Sequence, residues 1–409
     1  MSILNKTHKN TFDLIYIDPP YNTENKDFNY NDSYVDKENS YRHSKWLSFM
    51  NKRLCLAKNL LKENGAIFIS INEEELAHLK LLCDEIFGES NYLTTFTVKV
   101  RHEDRILKGD KDFHEVVEYL LLYRKSPAFK PNKRKKDNTS INEYLYEVKE
   151  LNKKPKQLKL GKKNVFLFKP GEYKIIKGNP LKTKLKKINI RGTLKEGNSS
   201  GRFYIRYIEP YLKGKEGYLI KVPDMGGDSL GFRYFLLPKN KKKVNGDYFQ
   251  GVPLNRNNIK EVPHPNYFDF VEEFNNAGYE GGVDFRNGKK PVAFILKILE
   301  IGNCIEKKDA LILDFFAGSG STGHAVLKLN KLDNGKRRFI LCTNNENEIC
   351  QKICYQRLKN VIKGYTNKKG YFIEGLPGNL KYLRILSRNK NRLIKNWLTK
   401  LSLIKAQKN

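Results

Sequence analysis

The chain has 409 residues, a length that suits two or three domains. It carries 77 Lys and Arg against 45 Asp and Glu, a formal net charge of +32, and 39 % of its residues are hydrophobic. That much apolar surface excludes global disorder, while the charge pulls on polyanions and points to a nucleic-acid partner, although AT-rich coding also enriches Lys, Asn and Ile. No apolar run reaches the roughly 18 residues of a membrane helix, and the opening MSILNKTHKN lacks the apolar centre of a secretory signal, so a cytoplasmic protein is expected.

Phe12 to Ile17 is a short apolar run stopped by Asp18-Pro19-Pro20, a buried strand ending in a proline-stiffened turn. Trp46, Met50, Leu54, Ala57 and Leu61 recur at helical spacing, which predicts a helix over 46–62 with Asn64-Gly65 as its stop. Ala66 to Ile71 is a second strand, Glu73 to Phe87 a helix closed by Gly88, and Val116 to Tyr123 a third buried strand. This alternation predicts an α/β fold with a mostly parallel sheet. Near Ser126-Pro127 the pattern changes. Residues 151–200 carry fifteen Lys or Arg against two acids, and the short β-type runs 165–168, 203–208, 218–222 and 232–237 lie among Gly and Pro. Phe166, Phe168, Tyr173, Phe203 and Tyr204 interleave with the lysines, a pattern suited to stacking on bases. After Pro265 the α/β pattern returns: a helix over 290–299, a strand Ala310 to Leu313, a glycine-rich loop, a helix opening near His324 and a strand over 338–342. From Asn367 the chain is rich in Lys and Asn with a weak helical pattern. Six cysteines and seven histidines are scattered without a ligand spacing, so free buried thiols and no metal are expected.

Two stretches carry chemistry. Asp18-Pro19-Pro20-Tyr21 follows a strand, where open α/β sheets place their ligands. A nucleobase amine is a poor nucleophile because its lone pair is delocalised into the ring. A carboxylate and a rigid backbone carbonyl accepting its two N–H groups would make it more nucleophilic, and an aromatic ring would hold the base. The second stretch, Asp314-Phe315-Phe316-Ala317-Gly318-Ser319-Gly320-Ser321-Thr322-Gly323, satisfies GxGxxG, and Glu346 follows 23 residues later, where an acid can bind a ribose hydroxyl. Alone it suits a nicotinamide cofactor as well as S-adenosylmethionine (AdoMet).

Together, the two stretches with a basic module between them resemble the amino-methylating DNA methyltransferases of the permuted β class, and most of all the modification subunits of type III restriction–modification systems. Val283-Asp284-Phe285-Arg286-Asn287 with Lys290-Pro291, His114 to Tyr119 and Arg338 to Glu346 extend the likeness over residues 12–365. The resemblance implies a Rossmann-like methyltransferase sheet assembled from residues 1–125 and 266–366, an inserted target-recognition domain over 126–265, and a basic tail over 367–409. It implies AdoMet-dependent methylation of adenine N6 in duplex DNA, a homodimer and a helicase–endonuclease partner. Asp18, Pro19, Pro20 and Tyr21 would form the catalytic turn. Phe316, Gly318 and Gly320 would line the AdoMet pocket, with Asp314 at its edge and Phe285 and Lys290 beside it. Thr343 falls at the family's ribose-binding acid, leaving Asn345 or Glu346 as its substitute. The family also carries a segment ahead of the first strand with an acid that reaches the cofactor adenine. Eleven residues precede that strand here, which implies a chain shortened at both ends and, as the alternative function, a catalytically impaired DNA-binding remnant. A nicotinamide oxidoreductase would leave the Asp18 turn and the basic module unexplained.

Overall fold

β1 (Phe12–Ile17) is buried along its whole length and forms the middle of a nine-stranded sheet. The structure is a computed structural model. It describes residues 1–23, 40–105, 112–137, 140–192, 194–211, 215–238, 245–254, 259–285, 288–367, 369–384 and the backbone of 402–407. With β2 (Leu61–Ile71), β3 (Tyr92–Lys99), β4 (Val117–Arg124), β5 (Tyr267–Asp269), β6 (Leu311–Asp314), β7 (Arg338–Thr343), β8 (Asn379–Arg384) and β9 (Ser402–Gln407), the order is β5-β3-β4-β2-β1-β6-β7-β9-β8. The centre, β2-β1-β6-β7, is parallel; β4 runs antiparallel to β2 and β3, and β9 antiparallel to β7 and β8. Central strands buried on both faces read as continuous apolar runs.

α2 (Arg42–Leu60) and α3 (Glu73–Phe87) cover one face, where Trp46, Met50, Leu54 and Leu79 pack on Ile15 and Ile17. The short α1 (Ser2–Thr7) adds Leu4 to the same core. α4 (Val292–Ile301), α5 (Ser321–Asp333) and α6 (Gln356–Lys363) cover the other, against Leu14 and Tyr16. α3 starts at Asn72, whose side chain accepts from the Glu74 N–H at 3.2 Å, and ends at Gly88 with φ +92°. Asp13 fastens the central strands: it accepts from the Leu311 N–H at 3.0 Å and pairs with Lys62 at 2.8 Å and Lys307 at 3.3 Å.

The chain divides into two units, Met1–Lys133 with Pro263–Asn409, and Arg134–Val262. The second unit is an eight-stranded antiparallel sheet, in the order 156–160, 163–168, 219–223, 232–236, 247–250, 185–189, 144–150, 173–177. Its ends lie inside the 126–265 read from composition, because Phe129 belongs to the core of the first unit and residues 134–137 pair with 259–262.

Several local expectations are corrected. Helix α2 stops at Leu60 and the chain enters β2 at once. Gly65 lies inside that strand, where a Cβ would stand 3.0 Å from the carbonyl oxygens of Lys62 and Phe12. Residues 203–208 are not a strand: Asn198 caps a short helix over Ser199–Phe203, and Tyr204 and Ile208 bury one face of the π-helical turn that follows. Phe168 and Tyr204 are fully buried, and the partly buried Phe166, Tyr173 and Phe203 pack against the same cores, so these aromatics help to hold the second unit together. The segment read as weakly helical holds β8 and β9. Cys55 is exposed, while the other five cysteines are buried thiols. Among the described residues no helix is long and apolar enough to cross a membrane.

Candidate active site at the rim of the sheet

β1 and β6 are parallel neighbours, with Leu14 opposite Ile312 and Ile15 opposite Leu313, so Asp18-Pro19-Pro20-Tyr21 and the loop after Asp314 leave the same rim side by side. From that rim the chain reaches α2 on one face and α5 on the other. Strands whose connections leave to opposite faces open a crevice between their carboxyl ends, where α/β sheets bind ligands.

The turn is held from behind. Trp46 Nε1 donates to the Pro20 carbonyl at 2.9 Å. Asn22, buried and left-handed at φ +62°, donates to Glu75 Oε1 at 2.8 Å. In front of the turn stands Lys290, the residue before Pro291 at the start of α4. Its Nζ lies 3.1 Å from Asp18 Oδ1, 2.9 Å from Glu118 Oε2 and 2.8 Å from Tyr21 Oη, and 4.8 Å from the centre of the Tyr21 ring. Tyr21 Oη has one proton and two carboxylate acceptors, Asp18 at 2.9 Å and Glu118 at 3.0 Å.

Two carboxylates thus share one ammonium. Burial pushes Asp18 up to about 6, with Lys290 pulling it down and Glu118 pushing it up. Burial acts on Glu118 in the same sense, but Lys290 and Arg101 together hold it below the usual range. Lys290 stays charged: burial favours its neutral form, and Asp18 and Glu118 outweigh that and raise it. Burial, then Asp18 and Glu118, drive Tyr21 well above its ordinary value, so it is a neutral donor.

The glycine-rich loop uses its glycines for three purposes. A Cβ on Gly318 (φ +47°) would meet nothing nearer than the Phe316 carbonyl at 3.9 Å, so a ligand has room to approach the backbone there. Gly320 (φ +81°) turns the chain into α5, and a Cβ would come within 2.9 Å of Cys354 Sγ. Gly323 lets α5 close on Leu358 and Leu341. Asp314, the last residue of β6, braces the loop with its carboxylate, accepting from the Phe316 N–H at 3.0 Å and the Thr322 hydroxyl at 2.6 Å. Burial pushes its carboxyl to about 7 against those two bonds. Phe316 lies half-buried beside Phe49, and Phe285 is buried. Glu346 lies half-buried beyond the end of β7 and accepts from Asn344 Nδ2 at 3.0 Å; Arg286 and Asn287 lie outside the described residues.

Further residues tie the loop to Lys290. Ser321 Oγ donates to the Lys290 carbonyl at 2.6 Å, and Arg357, fully buried, donates to Ser321 at 2.7 Å, Ser319 at 3.1 Å and Glu280 at 3.1 Å. Glu280 in turn accepts from the Val292 N–H at 3.0 Å. Glu118 had a signal in the sequence, a lone acid inside the apolar run Val116 to Tyr123. Arg357 had none, since a basic residue on a helix ordinarily faces water.

A family profile described as DNA methylase matches residues 12–356. The chain is 32 % identical over 394 residues to the type III restriction-modification enzyme StyLTI Mod subunit of Salmonella typhimurium, covering 88 % of this chain and 54 % of that protein. It is 30 % identical over 379 residues to the EcoPI Mod subunit of Escherichia phage P1, covering 81 % and 54 %. With the type II methyltransferase M.KpnI of Klebsiella pneumoniae it shares 32 % identity over 402 residues, covering 93 % and 87 %. The chain spans about half the length of the two Mod subunits. On the match across both rim segments, the chain belongs to the DNA methylase family.

Proposed function

We propose that the chain transfers a methyl group from AdoMet to N6 of adenine in duplex DNA, as the modification subunit of a type III restriction–modification system. The observation that carries this reading is the adjacency of β1 and β6, which sets an amine-holding turn beside a glycine loop with room over Gly318. The loop residues fit the cofactor: Gly318 would take it against the backbone, Gly320, packed on Cys354, would hold the turn that shapes the loop around it, Phe316 would lie beside it, and Glu346 would receive its ribose. AdoMet supplies an electrophilic methyl group.

The rest is done by the chain. An adenine inside the duplex cannot reach the rim, so it flips out at a cost of a few kcal/mol. Stacking on Tyr21 returns roughly 1–3 kcal/mol. The Asp18 carboxylate and the Pro19 carbonyl accept the two N6 hydrogens, which orients the amine for in-line attack. The methylated amine sheds a proton beside Asp18, and no stronger base is needed. Lys290 occupies the same acceptor in the resting site, so the entering amine displaces it from Asp18 while Glu118 retains it. Exposed lysines of the second unit, such as Lys153, Lys154, Lys156, Lys159 and Lys162, suit phosphate contacts in a target-recognition role. A second copy of the chain and a helicase–endonuclease subunit complete the proposed assembly in the cytoplasm.

Calorimetric titration with AdoMet tests the reading. One site per chain is expected. No binding by folded protein would favour the alternative, a DNA-binding remnant.

A further inference from the structure

Behind the Asp18 turn, two helices bring together three side chains that the proposed methyl transfer does not use. His43 is the second residue of α2, and Glu75 and His78 stand three apart on one side of α3. His43 Nδ1 lies 2.9 Å from Glu75 Oε1, His78 Nδ1 lies 3.2 Å from Glu75 Oε2, and one donor atom from each of the three falls within 4.8 Å of the others. Glu75 is fully buried, while the side chains of His43 and His78 are 36 % and 40 % exposed. Glu75 Oε2 and His78 Nδ1 lack the alignment of a hydrogen bond, and neither has another partner among the described residues.

This arrangement is poorly balanced as it stands. A buried carboxylate with an unpartnered oxygen is costly. The two imidazole rings stack with centroids 4.4 Å apart, so both present a nitrogen to the same carboxylate. A single divalent ion would give the unpartnered Glu75 oxygen and His78 nitrogen a ligand bond each. Two nitrogens and one oxygen are a zinc-type donor set, unlike the all-oxygen shells of magnesium and calcium. Bonds of about 2.0–2.2 Å at tetrahedral angles place donor atoms roughly 3.3 Å apart, and the two imidazole nitrogens stand 2.9 and 3.2 Å from one or the other oxygen of the Glu75 carboxylate.

We infer that His43, Glu75 and His78 bind a zinc-type divalent cation that clips the start of α2 to α3 behind the amine-holding turn. Water completes the coordination. Asn22, which donates to Glu75 Oε1 and directly follows Tyr21, is the outer partner through which the clip steadies that turn.

The test uses the full chain without a histidine tag, stripped with a chelator and returned to Zn²⁺ in competition with a chromophoric chelator. No DNA or AdoMet is present, so the outcome is independent of the proposed methylation. One equivalent of Zn²⁺ is expected, with a higher unfolding temperature when it is bound. His43→Ala and His78→Ala, both at partly exposed positions, should each lose more than about 100-fold in affinity, beyond the 10–100-fold cost of losing an outer partner. Circular dichroism confirms that each variant is folded. Substitution by Co²⁺ should give visible d–d bands without thiolate charge transfer, which separates this site from the cysteines. No uptake, or equal uptake by wild type and both variants, would overturn the assignment and leave the three as an ion-paired cluster.

Discussion

Lys290 Nζ stands 3.1 Å from Asp18 Oδ1 and occupies the acceptor that the proposed transfer assigns to the adenine amine. The two residues come from the two separate sequence segments of the first unit, so the site is assembled only by the fold. In the proposed transfer Asp18 must be ionised to accept N6–H, and with its carboxyl at about 6, methyl transfer should fall as pH drops through that value. Lys290 pulls that carboxyl down. In Lys290→Met, burial and Glu118 act unopposed, and the acid limb of the pH–rate profile should move up by about 1–3 units. Labelled methyl transfer measured from pH 5 to 9 checks this; an unmoved limb would show that the pair does not set the titration.

Tyr21 has two separable parts. Tyr21→Phe keeps the ring and removes the hydroxyl from the Lys290, Asp18 and Glu118 cluster, so binding of the extruded base should hold. Tyr21→Ala removes the stacking surface and should weaken that binding by roughly 1–3 kcal/mol. Fluorescence of 2-aminopurine at the target position reads the difference.

The two left-handed glycines should fail differently when changed to Ala. Gly318→Ala places a methyl group in the open space over the loop, so AdoMet affinity should drop about tenfold or more with the larger part of the fold's stability retained. Gly320→Ala drives a methyl group toward Cys354 Sγ and should lower the unfolding temperature as well. Calorimetry paired with thermal unfolding separates the two.

Asp314 stores a pH-dependent cost. Its carboxyl titrates near 7 in the fold and near 3.8 when unconstrained, so the folded state favours the protonated form. That cost is absent below about pH 4, grows between 4 and 7 and is constant above, where it is on the order of a few kcal/mol. Asp314→Asn does not ionise. It should therefore gain stability over wild type as pH rises through that window, and match or trail it at pH 4, where Thr322 has lost its acceptor. Denaturant unfolding at pH 4, 6 and 8 measures the difference.

The motifs were legible because their chemistry is local. Proline after Asp18 and glycine at 318 and 320 are dictated by the backbone each position must adopt, Gly323 by the close packing of α5 on Leu358 and Leu341, and the apolar runs at 12–17 and 310–313 are what strands buried on both faces require. Long-range pairings were not legible. Glu118 and Lys290 meet across the rim, and nothing in either neighbourhood specifies the other. Lysine and asparagine hid the strand Asn379–Arg384, although Leu380 and Tyr382 alternate as a strand does. The aromatics of residues 166–204 suggested a stacking surface, but a small basic unit needs those same rings for its cores. His43, Glu75 and His78 looked scattered because their spacing becomes a ligand set only when α2 and α3 pack together.

The most direct measurement is the identity of the methylated nucleoside. Purified chain is incubated with methyl-labelled AdoMet and unmethylated bacterial DNA, the DNA is digested, and the nucleosides are resolved by mass spectrometry. Label is expected in N6-methyldeoxyadenosine, reduced by about 10²–10³-fold or more in Asp18→Ala with DNA binding retained. Label in N4-methyldeoxycytidine, or equal adenine labelling by Asp18→Ala, would contradict the role given to the turn.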